Sequence, residues 1–414
     1  MPITAESYVS AVKLVARDFL TLEKGDAPMQ TDAIHGSEYF DEDTGTFIVP
    51  IFQTAIFELE RNRGLPRKSD RGKDLKYSRE ENPTVRALEK TLAKIDKGED
   101  ALSFSSGMAA ISSVFLAFLK SGGEIVIAKE VYGSTLQLAL SLKKFGVKVT
   151  VAGPDTEQII ESISERVSLV FVETMTNPML RVLDIPAIIK RCKEVGATII
   201  VDNTFVTPVI YRPLLDGADL VIHSATKYLA GHNDVIAGVI VGPRRLISDI
   251  LWDWRRLLGC IISPFDAFLV LRGLKTLELR VKKHCENAKA VAEFLNEHPK
   301  VSEVLYPGLP DNKYHGIARR LFSNGMYGGV VSFRVKGNMN SVIRVMSALK
   351  MIKISPSLGG TESIMTYPIV TGAATMPPEI REELGITEDL LRLSVGLEDV
   401  NDIIEDLDRA LKAA

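Results

Sequence analysis

Between about residues 84 and 241, short apolar runs alternate with stretches of helical period, and this alternation limits the possible folds more than any other property of the chain. Residues 85–95 and 108–119 repeat their apolar side chains every three to four positions. The runs 124–128, 148–152, 168–173, 198–202, 220–223 and 239–241 are short and β-branched or apolar, and 156–164 and 185–194 return to helical period between them. A strand followed by a helix before the next strand pairs in parallel through right-handed crossovers. The pattern therefore predicts an α/β fold, with a mostly parallel sheet covered on both faces.

Beyond residue 264 the pattern changes. One long helix is expected over 264–296, then strands at 301–305, 329–335 and 391–395 and helices at 339–349, 377–384 and 400–411, which make a smaller α+β domain. At 414 residues the chain exceeds the roughly 250–300 at which single cores stop growing. The division expected is a sheet-bearing domain at 76–270 and a C-terminal domain at 271–414. Residues 1–75, an amphipathic helix within 1–20 plus loops, read as an arm that lies on a neighbouring surface. The basic stretch 61–73 reads as a solvated loop.

Composition narrows the function. A net charge of -3 gives no electrostatic reason to bind nucleic acid or an anionic membrane. Cys192, Cys260 and Cys285 have no C-x-x-C spacing and the six histidines no zinc spacing, so neither a disulfide framework nor a structural metal is expected. The apolar runs fall short of the roughly 18 residues that span a bilayer, and the N-terminus lacks a basic region followed by an apolar block. The expectation is a cytoplasmic protein.

In open parallel sheets, ligands gather beyond the carboxyl ends of the strands, and the polar clusters of this chain fall there. The run 221–232, Val-Ile-His-Ser-Ala-Thr-Lys-Tyr-Leu-Ala-Gly-His, brings the hydroxyls of Ser224 and Thr226 and the amine of Lys227 to one strand end. Two hydroxyls and an amine suit an anion that carries a carbonyl, and pyridoxal 5'-phosphate (PLP), held as a Schiff base on Lys227, is the candidate. Ser105-Ser-Gly-Met108 opens a helix whose free N–H groups suit a phosphate, although alone it is also an ordinary capped turn. Asp202 ends a strand, where it either holds a protonated pyridine nitrogen or closes an Asx turn. Tyr132 follows another strand and is a candidate to stack on an aromatic cofactor, or else a turn tyrosine.

In order and spacing these segments resemble the Cys/Met-metabolism family of PLP-dependent enzymes, the trans-sulfuration type of PLP fold type I (aspartate aminotransferase-like). The resemblance runs through Thr31-Asp-Ala-Ile-His35, Pro50-Ile-Phe-Gln-Thr54, Tyr77-Ser-Arg-Glu-Glu-Asn-Pro-Thr84, Ser105 to Met108, Glu173-Thr-Met-Thr-Asn-Pro178, Val201-Asp-Asn-Thr204, Ser224 to His232, Leu271-Arg-Gly-Leu-Lys-Thr276, Ser357-Leu-Gly-Gly360 and Leu391-Arg-Leu-Ser-Val-Gly396. It implies Lys227 as Schiff-base lysine and mobile proton carrier, and Asp202 as partner of the pyridinium. The backbone of Gly107 and Met108 with the Ser224 and Thr226 hydroxyls becomes a phosphate cup. Tyr77 and Arg79 would reach the phosphate of a neighbouring subunit's cofactor, which makes a homodimer the minimum active unit and a homotetramer the expected assembly. Tyr132 would stack on the ring and exchange protons near the leaving group. Asn177 would lie near the cofactor's phenolic oxygen and the substrate carboxylate, which Arg392, helped by Ser357, would anchor with its planar guanidinium.

The resemblance is less specific about the substrate. Cystathionine-handling members often carry an acid before Ser-Leu-Gly-Gly and another before Tyr-Ser-Arg, where this chain has Pro356 and Lys76. Methionine γ-lyases usually carry cysteine in the Tyr-Gly-x-Thr turn, where this chain has Ser134. Lys76 would favour a distal anion if it faced the pocket, and would have no such effect pointing to solvent. The expectation is γ-replacement, in which an O-succinyl-, O-acetyl- or O-phosphohomoserine reacts with cysteine to give cystathionine. The alternative is γ-elimination by a cystathionine or methionine γ-lyase. A non-catalytic PLP-binding sensor or scaffold fits less well with the presence of Lys227, Tyr132, Asp202 and Arg392 together.

Overall fold

The computed structural model describes residues 28–37, 39–59, 71, 75–374, 376 and 378–413, so the helix expected within 1–20 lies outside the described residues. The first sheet has seven strands, β1 (Asp100–Phe104), β2 (Glu124–Ala128), β3 (Lys148–Ala152), β4 (Val167–Glu173), β5 (Thr198–Asp202), β6 (Leu220–Ser224) and β7 (Gly238–Gly242). Their order is β1-β7-β6-β5-β4-β2-β3, with β7 antiparallel to both of its neighbours and the remaining pairs parallel. Each parallel crossover carries a helix, as the alternation requires. The core is continuous across the sheet, with Phe115 edge-on to Phe171 at 5.5 Å between ring centres.

Local chemistry explains why the elements begin where they do. The helix Pro83–Asp96 starts with proline at its first position, and the Asn82 side chain accepts from Thr84 N–H and Val85 N–H. It ends at Lys97, whose φ of 60° closes the helix in the left-handed region. The helix Met29–His35 lies against it, with Met29 and Ala33 buried and Asp32 ion-paired to Lys97 at 3.3 Å.

Three features differ from expectation. Strand β1, Asp-Ala-Leu-Ser-Phe, is not an apolar run, yet all five residues are buried. Its polar side chains find partners inside the protein: Asp100 pairs with Arg86 (2.6 Å) and Arg71 (3.1 Å), and Ser103 donates its N–H to Glu89 (3.0 Å). Of the stretch 61–73, expected as a solvated loop, all but Arg71 lie outside the described residues, and Arg71 is not solvated. Arg71 is buried and bonds Glu81 (2.9 Å), Glu89 (2.6 Å) and Asp100 (3.1 Å), while Arg255 also reaches Glu89 (2.5 Å). A basic run in sequence does not reveal which of its members meets carboxylates.

The long helix expected over 264–296 is two helices, Pro264–Leu274 and Leu277–Glu297. Thr276, at φ -115° and ψ 9°, is not helical. The buried Arg280 guanidinium donates to Gly273 O (2.6 Å), the carbonyl that a continuous helix would give to residue 277, and also to Tyr228 O (2.8 Å).

The second sheet contains β8 (Val301–Leu305), β9 (Val330–Val335), β10 (Lys353–Ile354), β11 (Ile364–Thr366) and β12 (Leu390–Ser394), in the order β10-β11-β12-β9-β8. The two- and three-residue strands β10 and β11 are too short to show a period in sequence. Val331, Phe333, Leu391 and Leu393 pack with Val291, Leu295, Ile403 and Leu407 in a second core. Among the described residues no helix is long and apolar enough to cross a membrane.

Candidate active site

The carboxyl ends of β4, β5 and β6 meet at the floor of a cleft of about 550 Å³. Glu173 ends β4, Asp202 ends β5 as its register partner, and Ser224 ends β6. After β6 the chain turns tightly, Lys227 N–H donating to Ser224 O (3.1 Å), and this turn carries the amine into the cleft. The cleft is lined by Gly107, Met108, Tyr132, Asn177, Asp202, Ser224, Thr226, Lys227, Ser357 and Arg392 together with Glu173, Thr204 and Pro356. Tyr77 and Arg79 are not among its lining residues.

One end of the cleft is built for an anion. Ser106 caps the helix Gly107–Phe118, accepting from Ala109 N–H at 3.0 Å. A Cβ on Gly107 would stand 3.1 Å from Ser224 Cβ and 3.2 Å from its Oγ, so glycine lets the helix N-terminus close on the end of β6. Helix N–H groups and the Ser224 hydroxyl thus meet at one place. Thr226 Oγ1 lies between the C=O (3.2 Å) and N–H (3.0 Å) of Ala237, so its proton must leave that carbonyl to reach an anion.

Asp202 borders the cleft but is packed in by protein, and this desolvation raises its pKa. The Thr204 N–H (3.0 Å) and hydroxyl (2.5 Å) both donate to its Oδ1 and favour the ionised form, as does the charge of His223, held by Asp96 at 2.9 Å. His223 is already held by Asp96, and on its cleft side this carboxylate is open to a cation of its own. A protonated ring nitrogen would supply one.

Lys227 Nζ lies 2.7 Å from Ser357 Oγ. Burial, and next the charge of Arg392, pulls the amine down to about 8. Ser357 has φ 96°, a conformation rare for a side-chain-bearing residue, and its carbonyl accepts from Arg392 Nη2 at 2.8 Å. Arg392, on β12 and 5% exposed, also donates to Asn177 Oδ1 (2.8 Å) and Thr366 Oγ1 (3.0 Å). No carboxylate pairs with it among the described residues, its Nε has no partner, and burial lowers its pKa to about 10. A buried cation bonded only to neutral oxygens is suited to bind a carboxylate from outside the chain.

Tyr132 is 47% exposed at the cleft and begins the helix Gly133–Ser141. Tyr77 is 41% exposed, with the Arg79 guanidinium 5.2 Å above its ring and bonded to Arg256 O at 2.8 Å. Lys76 lies outside the cleft and pairs with Glu80 at 3.0 Å, so it gives this cleft no distal cation. Ser134 is half-buried and Pro356 stands exposed at the cleft edge. Sequence reasoning named no role for Glu173 and Thr204. Both stood in quoted motifs, Glu-Thr-Met-Thr-Asn-Pro and Val-Asp-Asn-Thr, and only their strand-end positions show what they touch.

The anion end, the amine, and the carboxylate at the floor of one cleft fit the phosphate, aldehyde and ring nitrogen of PLP in type. Comparison with known proteins agrees. The profile of the family described as Cys/Met metabolism PLP-dependent enzyme matches residues 30–412. A cystathionine gamma-synthase from Mycobacterium bovis is 40% identical over 92% of this chain and 96% of its own length. A cystathionine gamma-lyase from Dictyostelium discoideum is 39% identical over 92% of this chain and 97% of its own. The crystal structure of cystathionine gamma synthase from Xanthomonas oryzae pv. oryzae, in complex with aminoacrylate and cysteine, superposes with a TM-score of 0.88. It is 35% identical and covers 94% of this chain and 99% of that one.

Proposed function

Since the chain belongs to the Cys/Met metabolism PLP-dependent enzymes, the trans-sulfuration family, we propose that it catalyses γ-replacement, joining an O-acylated or O-phosphorylated homoserine to cysteine to form cystathionine. Bound PLP would supply an electron sink for charge leaving the substrate's Cα and Cβ. The Lys227 amine, neutral above about pH 8, would take the proton from Cα and then one from Cβ, as loss of the γ-substituent requires, and would return protons to the same carbons once the new bond at Cγ has formed. Asp202 would keep the ring nitrogen protonated. Arg392 holds the substrate carboxylate, and its bonds to Asn177, Ser357 and Thr366 fix the orientation of that anchor. Tyr132 would stack on the ring and attend the leaving group. The hydroxyl of Ser224 and the backbone of Gly107 and Met108 hold the phosphate, joined by Tyr77 and Arg79 of a second copy in a homodimer or a tetramer built from it.

The observation that favours replacement is the composition of the cleft wall. Its carboxylates are Asp202 and Glu173, both at the floor, and Pro356 stands at the edge. Among the described lining residues no other acid is offered to a distal ammonium, which weighs against cystathionine as the substrate to be cleaved. The apolar wall of Met175, Phe205, Ile236 and Leu358 also accepts an uncharged thioether, so γ-elimination from methionine is the second reading. Steady-state assays with O-succinyl-, O-acetyl- and O-phosphohomoserine plus cysteine, set against cystathionine or methionine alone, separate the two. Turnover of methionine alone with no cystathionine formed from any activated homoserine would overturn the replacement reading.

A further inference from the structure

Glu173 is a buried acid at the floor of the cleft with no part in the chemistry above. It ends β4 in register with Asp202 on β5, and residues paired on adjacent strands share a face at a spacing of about 4.8 Å. Glu173 Oε1 accepts the backbone N–H of Tyr132 at 2.6 Å. That bond ties the turn after β2, and with it the aromatic ring, to the end of the sheet.

The charges around Glu173 oppose its ionisation. Asp202 faces it from β5 and Glu130 from the segment after β2, and Arg181 is engaged with Glu130 at 2.6 Å. Lys227 and Arg392 line the same cleft but bond Ser357, and Arg392 also Asn177 and Thr366. Two acids at one strand edge do not both carry charge without a cation between them. Asp202 has two donors from Thr204 and a nearby His223 to favour its ionised form, whereas Glu173 has one backbone N–H. Burial, the charge of Asp202 and that of Glu130 outweigh that single bond and push Glu173 well up.

We propose that Glu173 is a positioning residue that holds Tyr132 through its backbone N–H while itself neutral and protonated, leaving the negative charge at the floor to Asp202. The inference rests on the reading of Tyr132 as the residue stacked on the cofactor. A carboxylic acid keeps its carbonyl oxygen as acceptor, so neutrality does not cost the bond to Tyr132. A second full charge beside Asp202 would bind the ring nitrogen's proton more tightly than one carboxylate does and alter the ring as an electron sink.

Three variants of the PLP-loaded enzyme test this: Glu173→Gln, which keeps an acceptor without a charge; Glu173→Met, which keeps volume without an acceptor; and Tyr132→Ala. The readouts are circular dichroism in the cofactor's visible band, PLP affinity of the apoprotein, and kcat/KM. Glu173→Gln should stay within about threefold of the parent in affinity and kcat/KM and keep its dichroism. Glu173→Met should lose visible dichroism and on the order of 100-fold in kcat/KM, the size of effect expected from a misplaced group. Tyr132→Ala should also lose the dichroism. If Glu173→Gln fails as badly as Glu173→Met, the acid is needed as an anion and the inference is wrong. If Glu173→Met keeps both signals while Tyr132→Ala loses them, Glu173 does not position the tyrosine. If Tyr132→Ala keeps its dichroism, the stacking reading falls and this inference with it.

Discussion

Replacing Arg392 with lysine keeps the charge and removes the shape. The guanidinium now spans Asn177 Oδ1 (2.8 Å), Ser357 O (2.8 Å) and Thr366 Oγ1 (3.0 Å), and a planar fork serves such a set while still presenting an N–H edge to a carboxylate. An ammonium is a point donor. It cannot reach the same three oxygens and offer a paired contact as well. A hydrogen bond to a charged group contributes about 1.5–3 kcal/mol, so the loss of one member of a bidentate pair costs roughly 2–3 kcal/mol. At about 1.4 kcal/mol per factor of ten, kcat/KM should fall by about 30- to 140-fold, in KM more than in kcat if the anchor acts equally in ground and transition states. The assay compares Arg392→Lys with the parent on the amino-acid substrate and on its carboxamide analogue, with PLP content measured in parallel. The parent should discriminate strongly against the carboxamide and the variant weakly. A variant within about threefold of the parent in kcat/KM, or one that loses equally on acid and amide at full PLP content, would refute the assignment.

Two further outcomes follow from the same structure. Lys227, drawn down to about 8 first by burial and then by Arg392, is the nucleophile only when neutral, so condensation of apoprotein with PLP should speed up as pH rises through about 8 and level off above it. A rate that keeps climbing toward the ordinary lysine range would contradict the buried amine, and Lys227→Ala should still hold PLP noncovalently without turning substrate over. Arg71→Met should destabilise the fold by about 3–5 kcal/mol, because Glu81, Glu89 and Asp100 then lose a buried counter-charge. Burial raises Glu89 and Asp100, but their arginines outweigh it and hold both below the usual carboxylate range. The stability they contribute is present above the ordinary carboxylate pKa and is lost as pH falls through their folded values. Urea midpoints of parent and Arg71→Met should therefore differ most at about pH 7 and draw together only as pH falls below about 4. Equal midpoints at pH 7 would show that Arg86 and Arg255 suffice without Arg71.

Sequence by itself determined those features that a few consecutive residues express. Alternating periods required a mostly parallel sheet with helical crossovers, and polar residues after apolar runs put Ser224, Thr226, Lys227 and Asp202 at strand ends, where the sheet brings them to one cleft. The helix Val400–Leu411 was legible to the residue, because its period is unbroken and Asp399 caps it. Tertiary structure alone decided what depends on partners far along the chain. Asp100 and Ser103 can sit inside β1 because Arg71, Arg86 and Glu89 satisfy them there. The helix after Pro264 breaks because Arg280 takes the carbonyl of Gly273 while anchoring the lysine turn at Tyr228. Lys76 pairs with Glu80, Ser357 joins Lys227 to Arg392, and Glu173 meets the Tyr132 backbone. A period reports which face of an element is buried. It carries no information about which distant donor or acceptor will be waiting there, and at this site those pairings set the charge and orientation of the reacting groups.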